Sequence, residues 1–314
     1  MTFDDAHPSS GLKRMLRTSA KAVPACAKAV PACALFALGA CSGVLDTKGP
    51  VGAGEKLILL DSVGIMLMVI VPVIVATLVF AWWFRAGNTR AKRRPEFVYS
   101  GRVEALVWSM PALIVLFLGT LAWVGSHELD PAAPIGHAKP LEVEVVSLDW
   151  KWLFIYPEQG VASVNSLVIP VGTPVHFRLT SATVMNSFFV PGLGSQIYTM
   201  SGMAVQLNLR ADRPGEWMGL STHFSGDGFS SMHFITHAVA APAFATWIGA
   251  ARAKPALDNR SYFALARESQ DVPVITYGKV RPGLFASIVD QTAPPATTRP
   301  AKRTQAAISP RAGS

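Results

Sequence analysis

Two long apolar runs, followed by a change of period, divide this chain. Leu57–Phe84 is nearly all apolar, with Asp61 and Ser62 near its beginning and Thr77 as a later polar interruption. A second run extends from Ala105 to Gly125, just after Glu104. Each supplies the ~20 residues a bilayer requires, which predicts helices over about 57–84 and 105–125. Pro72 is tolerable within such a helix if a neighbour satisfies the freed carbonyl. Trp82, Trp83, Trp108 and Trp123 lie near the ends of the runs, where interfacial aromatics are expected. From Leu141 the pattern turns to short β-prone segments. Strands are predicted at Val143–Trp150, Leu167–Ile169, Pro174–Thr180, Asn186–Val190, Met203–Arg210 and Met232–Val239. Val205, Leu207 and Leu209 alternate with Gln206, Asn208 and Arg210, the period of a half-buried strand. Turn signals fall at Pro157–Gly160, Val171–Thr173, Pro191–Gly194 and Arg213–Gly215. About seven to nine short strands over roughly 100 residues predict a Greek-key sandwich or barrel.

Charge orients this layout. The chain has 314 residues and a net charge of +8, but between Ser126 and Val239 acids outnumber bases nine to five. The basic excess therefore lies in the N-terminus, the loop between the apolar runs and the C-terminal tail, so it is no argument for nucleic acid. That loop carries Arg85, Arg90, Lys92, Arg93, Arg94 and Arg102 against Glu96 and Glu104. The positive-inside rule puts it in the cytoplasm and the rest of the chain beyond Gly125 outside. The membrane interior has almost no ionisable group, and Asp61 at the border is a poor candidate for an ion path. A transporter is set aside on that ground.

The first forty residues have a separate pattern. Lys13, Arg14, Arg17, Lys21 and Lys28 precede a short apolar run, Ala29–Ala40, too short to span. The tandem heptad Lys-Ala-Val-Pro-Ala-Cys-Ala occupies 21–27 and 28–34, a local duplication. The run ends Leu38-Gly39-Ala40-Cys41, which resembles a bacterial lipoprotein signal. That resemblance implies lipidation of Cys41 and its exposure as the new N-terminus. The three cysteines are Cys26, Cys33 and Cys41, so the rest of the chain can build neither a disulfide framework nor a thiolate metal site.

A lipoprotein-type signal, two membrane helices and an exterior β domain form a specific combination. With Leu148-Asp149-Trp150-Lys151-Trp152 and Asn186-Ser187-Phe188-Phe189-Val190-Pro191, the chain resembles subunit II of the haem–copper terminal oxidases from Cys41 to about Val289. Leu45-Asp46-Thr47-Lys48-Gly49 is similar to the quinol-oxidising branch, of the cytochrome bo type. So is Phe244–Val289, with Trp247, Tyr262, Phe263, Tyr277 and Phe285, which resembles that branch's C-terminal extension. The resemblance implies a membrane-anchored α+β chain: a two-helix transmembrane hairpin, an exterior cupredoxin-like Greek-key barrel and a short α-helical extension. The implied boundaries are a signal peptide over 1–40, an exterior segment over 41–56 and a hairpin over 57–125 with its cytoplasmic loop at 85–104. The barrel then occupies 126–241, the extension 242–290 and a disordered tail 291–314.

In the cytochrome c-oxidising branch this domain holds a binuclear copper centre. Its ligands are a His before a Ser-Phe pair and then Cys-x-Glu-x-Cys-x₃-His-x₂-Met, soft sulfur and imidazole donors that suit copper. Laid on this chain, the first His position is Asn186. The Cys positions are Ser221 and Ser225, the Glu is His223, the second His is Phe229, and only Met232 is retained. A different metal site from His176, His223, His233 and His237 is disfavoured. His233 and His237 on one strand would stand about 13 Å apart at ~3.3 Å per residue. Trp150 and Trp152 are either relics of an electron-entry surface or packing residues. Gly192-Leu193-Gly194 and Gly226-Asp227-Gly228 are turn glycines, and no Ser/His/Asp set argues for hydrolysis.

The resemblance thus implies a subunit of a proton-pumping ubiquinol oxidase without a catalytic residue or metal of its own. Haems and copper are expected in the haem–copper subunit I, and the lipid bilayer, other oxidase subunits and ubiquinol through the complex are the expected partners. A copper-bearing cytochrome c oxidase subunit II and a free-standing membrane-tethered cupredoxin-like module are the alternatives.

Overall fold

The computed structural model describes residues 45–92 and 95–293. Helix α1 spans Pro50–Trp83 and α2 spans Gly101–Glu128. Both are apolar enough to cross a membrane, with mean hydropathies of 2.9 and 2.1. The helices thus begin seven and four residues before the apolar runs at 57 and 105. A hydropathy threshold misses the first turns because they carry Glu55 and Lys56 in α1, and Arg102 and Glu104 in α2. Pro50 itself suits a helix start, where its missing N–H costs nothing. At 1.5 Å per residue α1 is roughly 51 Å long, more than the ~30 Å of hydrocarbon that a span must cross. The two helices approach closely near the start of α1, where a Cβ on Gly125 would lie 2.5 Å from Ile58 Cδ1.

Ten strands follow: β1 Leu141–Leu148, β2 Lys151–Tyr156, β3 Val161–Val164, β4 Ser166–Pro170 and β5 Val175–Ser181. Then come β6 Asn186–Val190, β7 Gly194–Thr199, β8 Val205–Leu209, β9 Gly215–Ser221 and β10 His233–Val239. The extension is α3 Ala241–Arg252, β11 Ala256–Leu257, α4 Asn259–Leu265, β12 Ile275–Tyr277, β13 Lys279–Val280 and α5 Leu284–Val289. One sheet has the order β12-β3-β2-β1-β5-β8 and the facing sheet β4-β10-β9-β6-β7. The pairs β1–β5 and β4–β10 are parallel. Short strands accompany the helices of the extension: β11 and β13 pair with each other, and β12 adds an edge strand to the first sheet.

Burial on two faces explains why the pattern did not predict β2. Trp152, Phe154 and Tyr156 of β2 enter the core between the sheets, beside Phe177, Phe188 and Phe234. Leu153 and Ile155 of the same strand enter a second core with Tyr262, Leu265, Tyr277 and Phe285 of the extension. A strand covered on both sides shows no polar alternation. The predicted strand Val143–Trp150 also ends early. Its last residue is Leu148, and Trp150 turns the chain at φ 59°. Alternation in β8 is incomplete because Asn208 is buried. Its N–H donates to the Pro131 carbonyl at 2.8 Å, its Nδ2 to the Pro131 and Ala132 carbonyls at 3.2 and 3.0 Å, and its Oδ1 meets His176 Nδ1 at 2.9 Å.

The first turns of α1 dock on the turn between β6 and β7. Lys48 N–H donates to the Gly192 carbonyl at 2.7 Å and Gly52 N–H to the Leu193 carbonyl at 3.0 Å. Glu55 Oε1 accepts from Ser195 N–H at 2.8 Å and from Ser195 Oγ at 2.9 Å. Gly194 has φ +101°, and a Cβ there would lie 2.6 Å from the backbone N of Gly52. Both membrane helices are thereby tied to the exterior domain, α2 through the Pro131–Asn208 bonds.

Candidate functional site

The six positions aligned with copper ligands fall at one end of the second sheet. Asn186 opens β6 and Ser221 closes β9; the two strands pair, with Phe188 opposite Ser221. Ser221 Oγ donates to Asn186 Oδ1 at 3.3 Å and also lies 3.3 Å from the His223 carbonyl. The loop after β9 curls back so that Ser225 Oγ is 4.0 Å from Met232 Sδ. The Ser221 N–H donates to the Met232 carbonyl at 3.1 Å, which closes the loop at its base. Asn186 and Ser221 are buried, as is Met232.

Not every side chain turns inward. The His223 ring sits edge-on to Tyr198 with centroids 5.9 Å apart, and the Phe229 ring packs against Phe224 at 5.6 Å. Phe229 begins a short 3₁₀ turn, Phe229–Ser231, that carries the chain to Met232. The cluster therefore presents hydroxyls, an amide and one thioether, with an imidazole and a phenyl ring at its edge. Hydroxyls that keep their protons are poor copper donors, and the described residues include no cysteine to bridge two ions.

Trp150 roofs the loop. Its indole lies over Gly228, where a Cβ would meet the ring at 2.3 Å, and its Nε1 donates to the Ser225 carbonyl at 3.2 Å. Only 8% of Trp150 is exposed, and Trp152 is wholly buried against Phe188 and Phe234. Both indoles are packed into the domain. The remaining histidines stand apart: His176 on Asn208, His237 on Glu216 Oε1 at 3.0 Å, and His233 exposed at the start of β10. No group of three or more metal-ligating His, Cys, Asp or Glu side chains exists among the described residues.

Two polar hubs next to the cluster escaped sequence reading. Lys151, in the turn under Trp150, is fully buried. Its Nζ donates to the Asp149 carbonyl at 3.0 Å, the Arg267 carbonyl at 2.8 Å and Ser269 Oγ at 2.7 Å. Burial pushes its ammonium down to about 8, with Asp149 and Glu268 opposing that shift. Asn165, at φ 56°, accepts from Trp152 N–H through Oδ1 and donates through Nδ2 to the Val272 carbonyl at 2.8 Å. Both hubs fasten the extension to the barrel. A lysine inside an apolar run, Trp-Lys-Trp-Leu-Phe, was the available signal for the first.

A cupredoxin-like β domain preceded by two helices apolar enough to span defines the class of the oxidase second subunits. Residues 143–239 match the family "Cytochrome C oxidase subunit II, periplasmic domain", and residues 252–296 match "COX Aromatic Rich Motif". Ubiquinol oxidase subunit 2 of Acetobacter aceti is 48% identical over 260 residues, 82% of this chain and 84% of that relative. Cytochrome bo(3) ubiquinol oxidase subunit 2 of Pseudomonas putida is 47% identical over 250 residues, 79% and 80% of the two chains. Quinol oxidase subunit 2 of Bacillus anthracis is 35% identical over 221 residues, 68% and 75%. The chain belongs to subunit II of the haem–copper terminal oxidases, in the quinol-oxidising branch. It is thus one subunit of an oxidoreductase complex, an inner-membrane protein whose C-terminal domain is periplasmic.

Proposed function

We propose that this chain is the non-catalytic second subunit of a proton-pumping ubiquinol oxidase, which oxidises ubiquinol and reduces oxygen to water. It carries no copper, and the haems and copper of the complex reside in subunit I. The chain anchors that partner in the bilayer, caps it on the periplasmic side and supports its assembly. The observation that carries this reading is the donor set at the ligand cluster. Asn186, Ser221, Ser225 and Met232 are drawn together as a ligand loop, yet hydroxyls occupy both thiolate positions. His223 and Phe229 occupy the Glu and second His positions with rings packed on Tyr198 and Phe224. Without a metal there, an electron has no station in this domain, and Trp150 and Trp152 serve packing.

Processing belongs to the same reading. Residues 1–40 are a lipoprotein-type signal peptide, and Cys41 becomes the lipidated N-terminus; both lie outside the described residues. Acyl chains worth ~0.8 kcal/mol per buried CH₂ would then hold that end at the outer leaflet. Cys41→Ser should abolish lipid labelling, and a label that persists refutes the processing claim.

The function is tested on the tagged complex purified from membranes. Haem-bearing subunits should co-purify, and the complex should oxidise ubiquinol but not reduced cytochrome c. A chain that purifies without haem partners contradicts the reading, and so does cytochrome c oxidation.

A further inference from the structure

The cytoplasmic face of the hairpin has a surface that the subunit's periplasmic role does not use. Between Trp83, the last residue of α1, and Gly101, the first of α2, the chain must sit at the inner membrane–water boundary. There Phe97, Val98 and Tyr99 are consecutive and open, with exposures of 62%, 91% and 74%. They lie in irregular backbone just before α2, so no helical amphipathy accounts for them. Trp82 and Trp83 are exposed at the same level, and the Arg85 guanidinium lies 5.2 Å from the centroid of the Trp82 ring. Arg90 and Lys92 in the loop and Arg102 in the first turn of α2 complete a set of four cations among the described residues, against Glu96 and Glu104. Among the described residues, no ion pair ties any of these four cations to a carboxylate.

Exposed apolar side chains and cations gathered between two spans suit a membrane surface. Trp, Phe, Tyr and Val side chains gain by entering the boundary between headgroups and acyl chains. Lys and Arg beside them are drawn to anionic headgroups of the cytoplasmic leaflet, within a Debye length of it. Trp, Phe, Tyr and Arg also suit protein interfaces, but Lys92 and the position of the segment between two spans favour headgroups. We propose that Phe97–Tyr99, with Arg85, Arg90, Lys92 and Arg102, forms a docking surface for anionic phospholipid, seating the loop in the inner leaflet. The inference rests on the cytoplasmic placement of this loop.

Val98→Cys carrying a nitroxide label, in the intact oxidase complex stripped of other reactive thiols, tests it by depth. In bilayers containing phosphatidylglycerol the label should be severalfold more accessible to oxygen than to an aqueous nickel chelate. The ratio should fall severalfold in pure phosphatidylcholine, and likewise when Arg85, Arg90, Lys92 and Arg102 are all changed to Gln. A label open to the nickel chelate in both bilayers overturns the proposal. So does a label shielded from both reagents, which would show a protein neighbour covering the segment. Labelling of Val98→Cys by an impermeant maleimide in intact spheroplasts would instead overturn the topology, a failure separable from that of the lipid surface.

Discussion

Two turns of the exterior domain, at the ends of neighbouring strands, have been treated differently. At the turn between β6 and β7 the chain is close-packed against α1, with Gly194 at φ +101° and Glu55 held by both donors of Ser195. At the loop after β9, small polar groups satisfy one another at longer range, 3.3 Å for Ser221 to Asn186 and 4.0 Å for Ser225 to Met232. The first turn tolerates little change because backbone meets backbone. At the second, hydroxyls, an amide and a thioether stand where the proposed function reads a lost ligand set. The contrast separates mechanics from chemistry. A second subunit that positions a partner needs the joint, whereas one that passes electrons needs the loop.

Changes at the joint should have the larger consequences. Gly194→Val forces a β-branched residue into a positive-φ position and pushes its Cβ onto the Gly52 backbone. Overpacking and strain together predict a loss of about 3 kcal/mol or more, read as a fall in the complex's melting temperature and in subunit yield. An unchanged melting temperature would show that α1 does not dock there. Glu55→Gln keeps the shape but removes the charge from two hydrogen bonds. A loss of about 1–2 kcal/mol is expected by denaturant titration of the full chain in detergent.

Lys151 gives a pH-dependent test beside the loop. Its ammonium titrates at about 8 in the folded protein, against ~10.4 in an unfolded chain. Between those values the unfolded chain binds more protons, so this group's contribution to stability rises with pH. Below about 8 both states are protonated and the full cost of burying the charge is present. The stability of the native chain relative to Lys151→Met should therefore climb between pH 8 and 10.4, by up to about 3 kcal/mol. A flat difference would show that the buried ammonium is not penalised.

The smallest effect is expected in the loop itself. Ser225→Ala removes a hydroxyl whose partner is a weak sulfur acceptor and should cost under about 0.5 kcal/mol. Quinol oxidation should be unchanged. A large loss of activity with a normal melting temperature would mean that the loop still takes part in chemistry. Conversely, restoring the whole donor set (N186H, S221C, H223E, S225C and F229H together) should create copper binding with thiolate-to-copper absorption if the path of the loop is intact.

Much of this was legible in the residue pattern, for identifiable reasons. The spans announce themselves because lipid tolerates few polar residues, although the first turns of α1 and α2, which carry Glu55 and Arg102, fell outside the pattern. The strand β10 and the turn at Pro157–Gly160 follow from β-prone composition and turn chemistry. Strand β2 escaped because Leu153 and Ile155 pack under the extension while Trp152 and Phe154 face the core, leaving no alternation to see. The ligand cluster was legible as six spaced positions. The joint was not, since a glutamate near the start of a membrane helix and a Gly-Ser turn some 140 residues later share no local signal. The same holds for Asn165, whose left-handed backbone and bonds to Trp152 and Val272 are set only by tertiary contact.

The most direct measurement combines copper and donor specificity on the same sample. In the purified complex, electron paramagnetic resonance should show no mixed-valence binuclear copper signal. Ubiquinol should be consumed with oxygen uptake, and reduced cytochrome c should not. A binuclear copper signal that persists in the complex, accompanied by turnover of cytochrome c, would contradict the account.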